Sequence, residues 1–307
     1  MAFLAWPVWA WLPSSPFSDD ASGTTGAAFL KIPVGARPIA MGEAHVAAVS
    51  GAEALFWNPA GLIHLEEASC SEISASYGLL LESSFHSALA YARPVKGSGV
   101  WGVGWNLFSQ GAISSFNEAG DEIGTFTPQD MLLAVAYARR WGTATFGAAV
   151  KGIRSSLAGE TGYGEALDLG WLFPNMDGKD RLDMGISLSN LGPKFRLGSE
   201  SDPLPLRGRL GGALRVFSGG LFVMDLNLPV DRNPYLAVGG EYTVLFGPDM
   251  GMALRAGYNT GTSRGVEGLA GLTSGFGLKA GKFVLDYAWA PFGDLGTTHR
   301  ISMTFRF

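Results

Sequence analysis

The last nine residues, His299 to Phe307, read HRISMTFRF and alternate strictly. Ile301, Met303, Phe305 and Phe307 fall on one parity, and Arg300, Ser302, Thr304 and Arg306 on the other. Successive side chains of a β-strand point to opposite faces, so the pattern predicts a strand with one apolar and one polar side. Two settings suit it: the half-buried sheet of a soluble sandwich, or a membrane barrel whose apolar side meets lipid while its polar side lines a lumen. From about Ala68 onward the chain repeats such segments, separated by Gly, Pro, Asn and Asp. Strands are predicted near 69–79, 84–93, 99–109, 130–139, 143–154, 163–173, 181–190, 207–217, 220–228, 235–246, 250–259, 266–277, 281–290 and 299–307, about fourteen in all. Membrane strands need about 9–11 residues when tilted, whereas soluble strands more often run to five or six, so length favours the bilayer.

Charge placement follows the same parity. LDMGISLSN sets Leu182, Met184, Ile186 and Leu188 against Asp183, and LFVMDLNL sets Phe222, Met224, Leu226 and Leu228 against Asp225. Glu241, Arg255 and Asp286 likewise sit opposite the apolar sets of their segments. In a barrel these charges, with Arg300 and Arg306, take the lumen side, because Arg or Lys at the lipid midplane costs about 2–4 kcal/mol. Soluble half-buried sheets show the same segregation. Trp101, Trp105, Tyr137, Trp171, Tyr258, Tyr287 and Trp289 also lie in predicted strands, where they suit either core packing or interfacial girdles.

Residues 24–65 break the rhythm. They are rich in Ala and Gly and lack a clean alternation. SGAEALFWNPAGL predicts a short helix capped by Ser50 and halted at Asn58-Pro59, since the residue before proline avoids the helical region. An irregular apolar segment must be buried somewhere other than lipid, and a barrel lumen is an available place. Phe56, Trp57, Asn58, Pro59 and Gly61 are therefore candidates for a plug that gates the lumen.

Composition narrows the classes. Only 16% of the 307 residues are charged, against roughly 25% in an average soluble domain. The 44 glycines are about twice the usual share. A net charge of −5 without any Lys/Arg run gives nucleic acid no footprint. After residue 12 no stretch has the roughly 18 consecutive apolar residues a membrane helix needs, so any spanning must be by a closed barrel. The apolar run Ala2 to Leu12 has the length of the hydrophobic part of an export signal, without the basic residues that normally precede it. The domain reading is an export signal over 1–21, a plug and first-strand region over 22–67, and a transmembrane barrel over 68–307. Cys70 is the only cysteine, and His45, His64, His86 and His299 form no metal-binding spacing, so no metal or cofactor is expected.

The sequence resembles the PorV/PorQ family of outer-membrane proteins, relatives of the FadL-type long-chain fatty-acid transporters. The resemblance is carried by GAAFLKIPVGARPIAMGEAHVA (26–47), ALFWNPAGL (54–62), GTFTPQDMLLAVAYARR (124–140), VKGIRSSLAG (150–159), SNLGPKFR (189–196), LPLRGRLGGALR (204–215), LRAGYNTG (254–261) and LDYAWAPFGDLGTTHRISMTFRF (285–307). It implies an all-β fold, a fourteen-strand antiparallel barrel with an N-terminal plug, in the outer membrane of a Gram-negative-type bacterium. It also implies contact with outer-membrane lipid and with the barrel-insertion machinery, for which Phe305 and Phe307 supply the C-terminal signal. One departure is His45, where the pattern leads one to expect Phe or Tyr.

Two roles follow from the resemblance: secretion of the type IX kind, with escort of cargo proteins at the outer membrane, or passage of a hydrophobic ligand. An enzyme embedded in the barrel would need a nucleophile oriented by a base, and no GxSxG motif is present. The expected protein is therefore not an enzyme.

Overall fold

The computed structural model describes residues 12–307, so residues 1–11 of the expected export signal lie outside the described residues. The described strands are β1 (Glu72–Leu79), β2 (Phe85–Val95), β3 (Gly99–Ser109), β4 (Ile113–Phe116), β5 (Glu122–Phe126), β6 (Gln129–Trp141), β7 (Ala144–Leu157), β8 (Glu160–Phe173) and β9 (Leu182–Leu191). They continue with β10 (Phe195–Leu197), β11 (Glu200–Asp202), β12 (Arg207–Phe217), β13 (Gly220–Pro229), β14 (Tyr235–Leu245), β15 (Met250–Asn259), β16 (Leu272–Ala280), β17 (Phe283–Pro291) and β18 (Thr297–Arg306). All but β4, β5, β10 and β11 form one antiparallel barrel of fourteen strands, each paired with its sequence neighbours. The ring is complete: β18 lies beside β1 with Arg306 opposite Glu72, and β8 pairs with β9. Closure leaves no strand edge unpaired, which a bilayer requires.

Each predicted strand has its counterpart, with informative differences. The strands β7 and β8 run to 14 residues each, and the first part of β8 extends past its pairing with β9, which begins at Leu167. The strand expected at 266–277 starts only at Leu272, because Gly265, Gly268 and Gly271 all take positive φ and hold the preceding stretch as a loop. The connections 110–128 and 192–206 carry the small hairpins β4–β5 and β10–β11. The turns 96–98, 142–143, 218–219 and 281–282 are short and share one end of the barrel with the C-terminus, while the long connections 110–128, 192–206 and 260–271 share the other. These are called the turn end and the loop end.

Alternation sorts the two faces as the pleat demands. On β6, Leu133 and Val135 face outward and are exposed, while Leu132, Ala134, Ala136 and Ala138 face inward and are buried. Aromatic clusters ring the turn end, with Trp101 against Tyr137 at 4.7 Å, Phe217 against Tyr242 at 5.8 Å and Phe283 against Phe305 at 4.6 Å. Tyr77, Phe85 and Tyr163 lie outside toward the loop end. An exposed aliphatic band between aromatic girdles is the surface that a bilayer solvates.

The inward face is covered by the chain's own N-terminal segment. Gly26 donates its amide to Pro203 O (2.9 Å) in the connection 192–206, which puts the start of the plug at the loop end. From there the segment crosses the lumen and leaves at the turn end, where Ser71 and Phe307 exchange backbone hydrogen bonds of 2.8 and 3.0 Å. The core therefore lies inside the barrel: Leu55, Trp57, Ala60, Leu62, Ile63 and Leu65 pack on the inward alanines of β2, β6 and β7. Full burial of one such large side chain is worth about 1.5–3 kcal/mol.

Candidate functional site: the plug and the chambers it separates

The plug lies flush against the wall because the wall offers glycine where it passes. Gly239 on β14, Gly257 on β15 and Gly275 on β16 face Met41, Gly42 and Ala40, and a Cβ on Gly257 would come 2.8 Å from the Gly42 Cα. Gly185 on β9 and Gly211 on β12 face Val46, Gly170 on β8 faces Asn58, and Gly147 on β7 faces Ala60. Glycine within a strand marks close approach, and here seven strands supply one each, four against plug backbone and three against the side chains of Ala40, Val46 and Asn58.

Polar groups then fix the plug's position. Asp225 on β13 accepts the amides of His45 (2.7 Å) and Val46 (2.9 Å) with one carboxylate oxygen. Arg37 donates from Nε (2.8 Å) and Nη2 (3.0 Å) to the two oxygens of Glu241, and from Nη1 to Ala48 O (3.2 Å). Glu241 also accepts from Arg255 (2.6 Å), which pairs in turn with Asp286 (2.6 Å). Arg300 Nη1 donates to Pro33 O (2.8 Å), and the Ala36 amide donates to Ser302 Oγ (2.8 Å). Arg306 pairs with Glu72 (2.7 Å), which also accepts the Ala52 amide (2.7 Å). Asp183 bonds Arg215 (2.7 Å) and the Asn175 amide (2.9 Å) near the turn end, apart from the plug contacts of the others.

The helix expected over Ser50 to Asn58 forms differently. A 3-10 turn spans Ala52–Phe56 with Gly51, not Ser50, at its N-cap, because Gly51 takes φ 75°, which a serine Cβ disfavours. Pro59 does not end helical structure but begins a second 3-10 turn, Pro59–Ile63. Its fixed φ and missing N–H suit a first helical position, and Asn58 is the cap. The fully buried Asn58 side chain accepts the Ala60 amide (3.2 Å) and donates to Val46 O (2.9 Å) and Trp171 O (3.1 Å), tying plug to plug and plug to β8. Trp57 Nε1 donates to Val34 O (2.8 Å), Phe56 lies against Gly104 of β3, and Gly61 is covered by Val49. His45 packs edge-on to Trp57 at 5.7 Å, so the imidazole fills an aromatic's place. Phe305 and Phe307 stack at 5.6 Å beside Phe283 and Tyr91 on the outside of the turn end.

Several contributors were not singled out by sequence reasoning. Lys151 on β7 and Asp168 on β8 form a buried ion pair, and Asn190 joins it by accepting from Lys151 Nζ (2.9 Å) and donating its amide to Asp168 (2.8 Å). Arg209 lies over the Trp57 ring, 5.0 Å from its centroid. Their inward parity was available from alternation, but their partners lie on other strands or in the plug.

The plug divides the lumen. At the loop end it leaves a chamber of about 520 Å³, lined in part by Lys31, Glu43, Arg207, Asp231, Arg232 and Arg300. At the turn end lie a chamber of about 630 Å³ against Ala47–Gly51 and a smaller one of about 290 Å³ bounded by Arg37, Glu53, Glu72 and Glu241.

With this geometry in view, the sequence profile of the family described as Type IX secretion system protein PorV matches residues 16–225. The chain belongs to the PorV family. It is an outer-membrane β-barrel of the type IX secretion kind, and the short turns of such barrels face the periplasm. No curated protein matches the sequence. Solved structures that share the fold include the toluene transporter TodX of Pseudomonas putida, 12% identical, with a TM-score of 0.61 over 89% of this chain and 97% of that one. The CymD monoaromatic hydrocarbon channel is 13% identical, with a TM-score of 0.59 over 92% and 99%. A FadL homologue of Pseudomonas aeruginosa is 9% identical, with a TM-score of 0.57 over 89% and 98%. At these identities the likeness establishes the fold alone.

Proposed function

We propose that this PorV-family protein is a sealed, non-catalytic docking barrel of type IX secretion, which escorts exported cargo proteins at the outer surface and does not conduct them. The observation that carries the reading is the plug seated on the glycine positions of seven strands, with chambers on either side of it. A polypeptide needs a path far wider than such a lumen offers, so the barrel's contribution to secretion is a surface. In this reading, residues 1–21 are removed on export, Phe56, Trp57, Asn58, Pro59 and Gly61 set the plug, and the lumen charges hold it. Phe305 and Phe307 address the chain to the barrel-insertion machinery.

Removing the protein from its host and resupplying it tests the proposal. Exported proteins that share a C-terminal sorting domain should accumulate in the periplasm without it and return to the surface with it. Normal surface delivery in its absence overturns the reading. A second reading, passage of hydrophobic molecules, draws support from the apolar Leu80, Leu81, Phe108 and Phe292 in the outer chamber and from the hydrocarbon channels that share the fold. It predicts normal cargo delivery and slowed uptake of an apolar solute in the same deletion strain.

A further inference from the structure

The two sides of the plug differ in how their charges are matched. Around the smaller periplasmic chamber, Arg37, Arg255, Lys279 and Arg306 face Glu53, Glu72, Glu241 and Asp286, so cations and carboxylates are equal in number. Each of the three arginines there is ion-paired. The outer chamber is lined by four cations, Lys31, Arg207, Arg232 and Arg300, and two carboxylates, Glu43 and Asp231, for a net charge of +2. Lys31 is paired with Asp231 at 2.8 Å. Among the described residues, Arg207, Arg232 and Arg300 have no carboxylate within ion-pair distance, and neither has Arg209 just below.

Buried polar atoms in the chamber wall lack partners as well, Asp231 Oδ1 among them. Arg300 is 6% exposed and its Nε has no hydrogen-bond partner, and Asn259, at 2%, leaves Nδ2 unused. A buried polar group left without a partner is destabilising, more so when it is charged. The same lining also includes the apolar Leu81, Phe108 and Phe292. A volume of about 520 Å³ is within the usual range for a small-molecule site.

We infer that the outer chamber is a binding site for a phosphate monoester carrying a compact apolar group. A doubly charged phosphate matches the net charge of +2, and its oxygens give planar guanidinium groups the acceptors they lack. A neutral hydrocarbon would leave the buried Arg207 and Arg300 without a counter-charge, and a monocarboxylate would neutralise only half of the excess. The site is independent of whether the barrel serves secretion or passage, because it is read from the chamber alone.

The test uses the full chain in detergent micelles, with phenyl phosphate, inorganic phosphate, benzoate and phenol titrated calorimetrically against wild type and Arg207→Gln. Arg207 makes no side-chain hydrogen bond in the structure, and Arg232→Gln provides a second variant should Arg207→Gln fail to assemble. Phenyl phosphate should bind at least tenfold more tightly than benzoate or phenol, and either variant should weaken it by tenfold or more. Tighter binding of phenyl phosphate than of inorganic phosphate identifies a phosphorylated amphipath as the ligand. Equal binding of the two, still lost in the variants, assigns the same oxyanion site to free phosphate. Phenol or benzoate binding as tightly as phenyl phosphate, or phosphate binding indifferent to both substitutions, overturns the proposal.

Discussion

Arg37→Ala probes whether the plug is held as a unit by its charges. Arg37 joins the plug to β14 through a two-pronged pair with Glu241 and braces the plug internally through Ala48 O. Its side chain is 24% exposed and that of Glu241 11%, which places the pair between the exposed and buried regimes. Exposed pairs are worth about 0–1 kcal/mol, and breaking a fully buried one costs about 3–5. Glu241 keeps Arg255 after the substitution, so no carboxylate is stranded. A loss of about 2 kcal/mol in plug docking is therefore expected. That corresponds to a roughly 30-fold rise in the population with the plug detached. Hydrogen exchange in micelles reads this directly. The amides of His45 and Val46, which donate to Asp225, and of Ala36, which donates to Ser302, should exchange roughly 30-fold faster, while strand amides of β6 and β7 hold their rates. Arg37→Lys should recover only part of the protection, because an ammonium cannot make the two-pronged contact. Plug amides that exchange at the wild-type rate in Arg37→Ala would refute the reasoning. Equal acceleration of plug and strands would show that Arg37 supports the barrel as a whole.

Asn58→Ala leaves Val46 O and Trp171 O without their donor, each at a cost of about 1–3 kcal/mol, and should make cells more sensitive to hydrophobic antibiotics while the barrel stays heat-modifiable on a gel. Unchanged sensitivity with a normally assembled barrel counts against a sealing role for Asn58. Leu210→Lys places a charge on the outward face of β12, between Ile186 and Leu226, and should lower assembly yield and folded stability by about 2–4 kcal/mol if the site lies near the bilayer midplane. Asp177, in the periplasmic turn 174–181, is raised somewhat by desolvation, but the amides of Lys179, Arg181 and Leu182 outweigh this and hold it at about 2. Its contribution to that turn is therefore complete above the ordinary value of 3.8 and lost as pH falls through about 2. A carboxyl NMR titration with its midpoint at 3.8 would contradict the hydrogen bonding.

The barrel was legible in the sequence because everything that specifies it is local. Alternation decides which face each side chain takes, glycine and proline mark the turns, and each strand pairs with its neighbour along the chain. Asp225, Glu241, Arg255, Asp286 and Arg300 occupy the parity opposite the apolar face for the same local reason. The plug segment stood out by lacking that rhythm, and its burial followed from what lipid does not tolerate. The character of Pro59 was misread because proline stops a helix that precedes it and starts one that follows, and Asn58 capping the second turn settles which applies.

Tertiary structure alone decided what the inward residues meet. Arg37 reaches Glu241 across 204 positions, and Arg300 reaches Pro33 across 267. Glycines such as Gly147 and Gly257 read as weak points of a strand until the plug backbone is seen against them. The charge excess of the outer chamber gathers residues from the plug, from strands and from the loop between β13 and β14, none of which is unusual in its own segment. A strand's pattern records which way a side chain points, and only closure of the ring around the plug determines its partner.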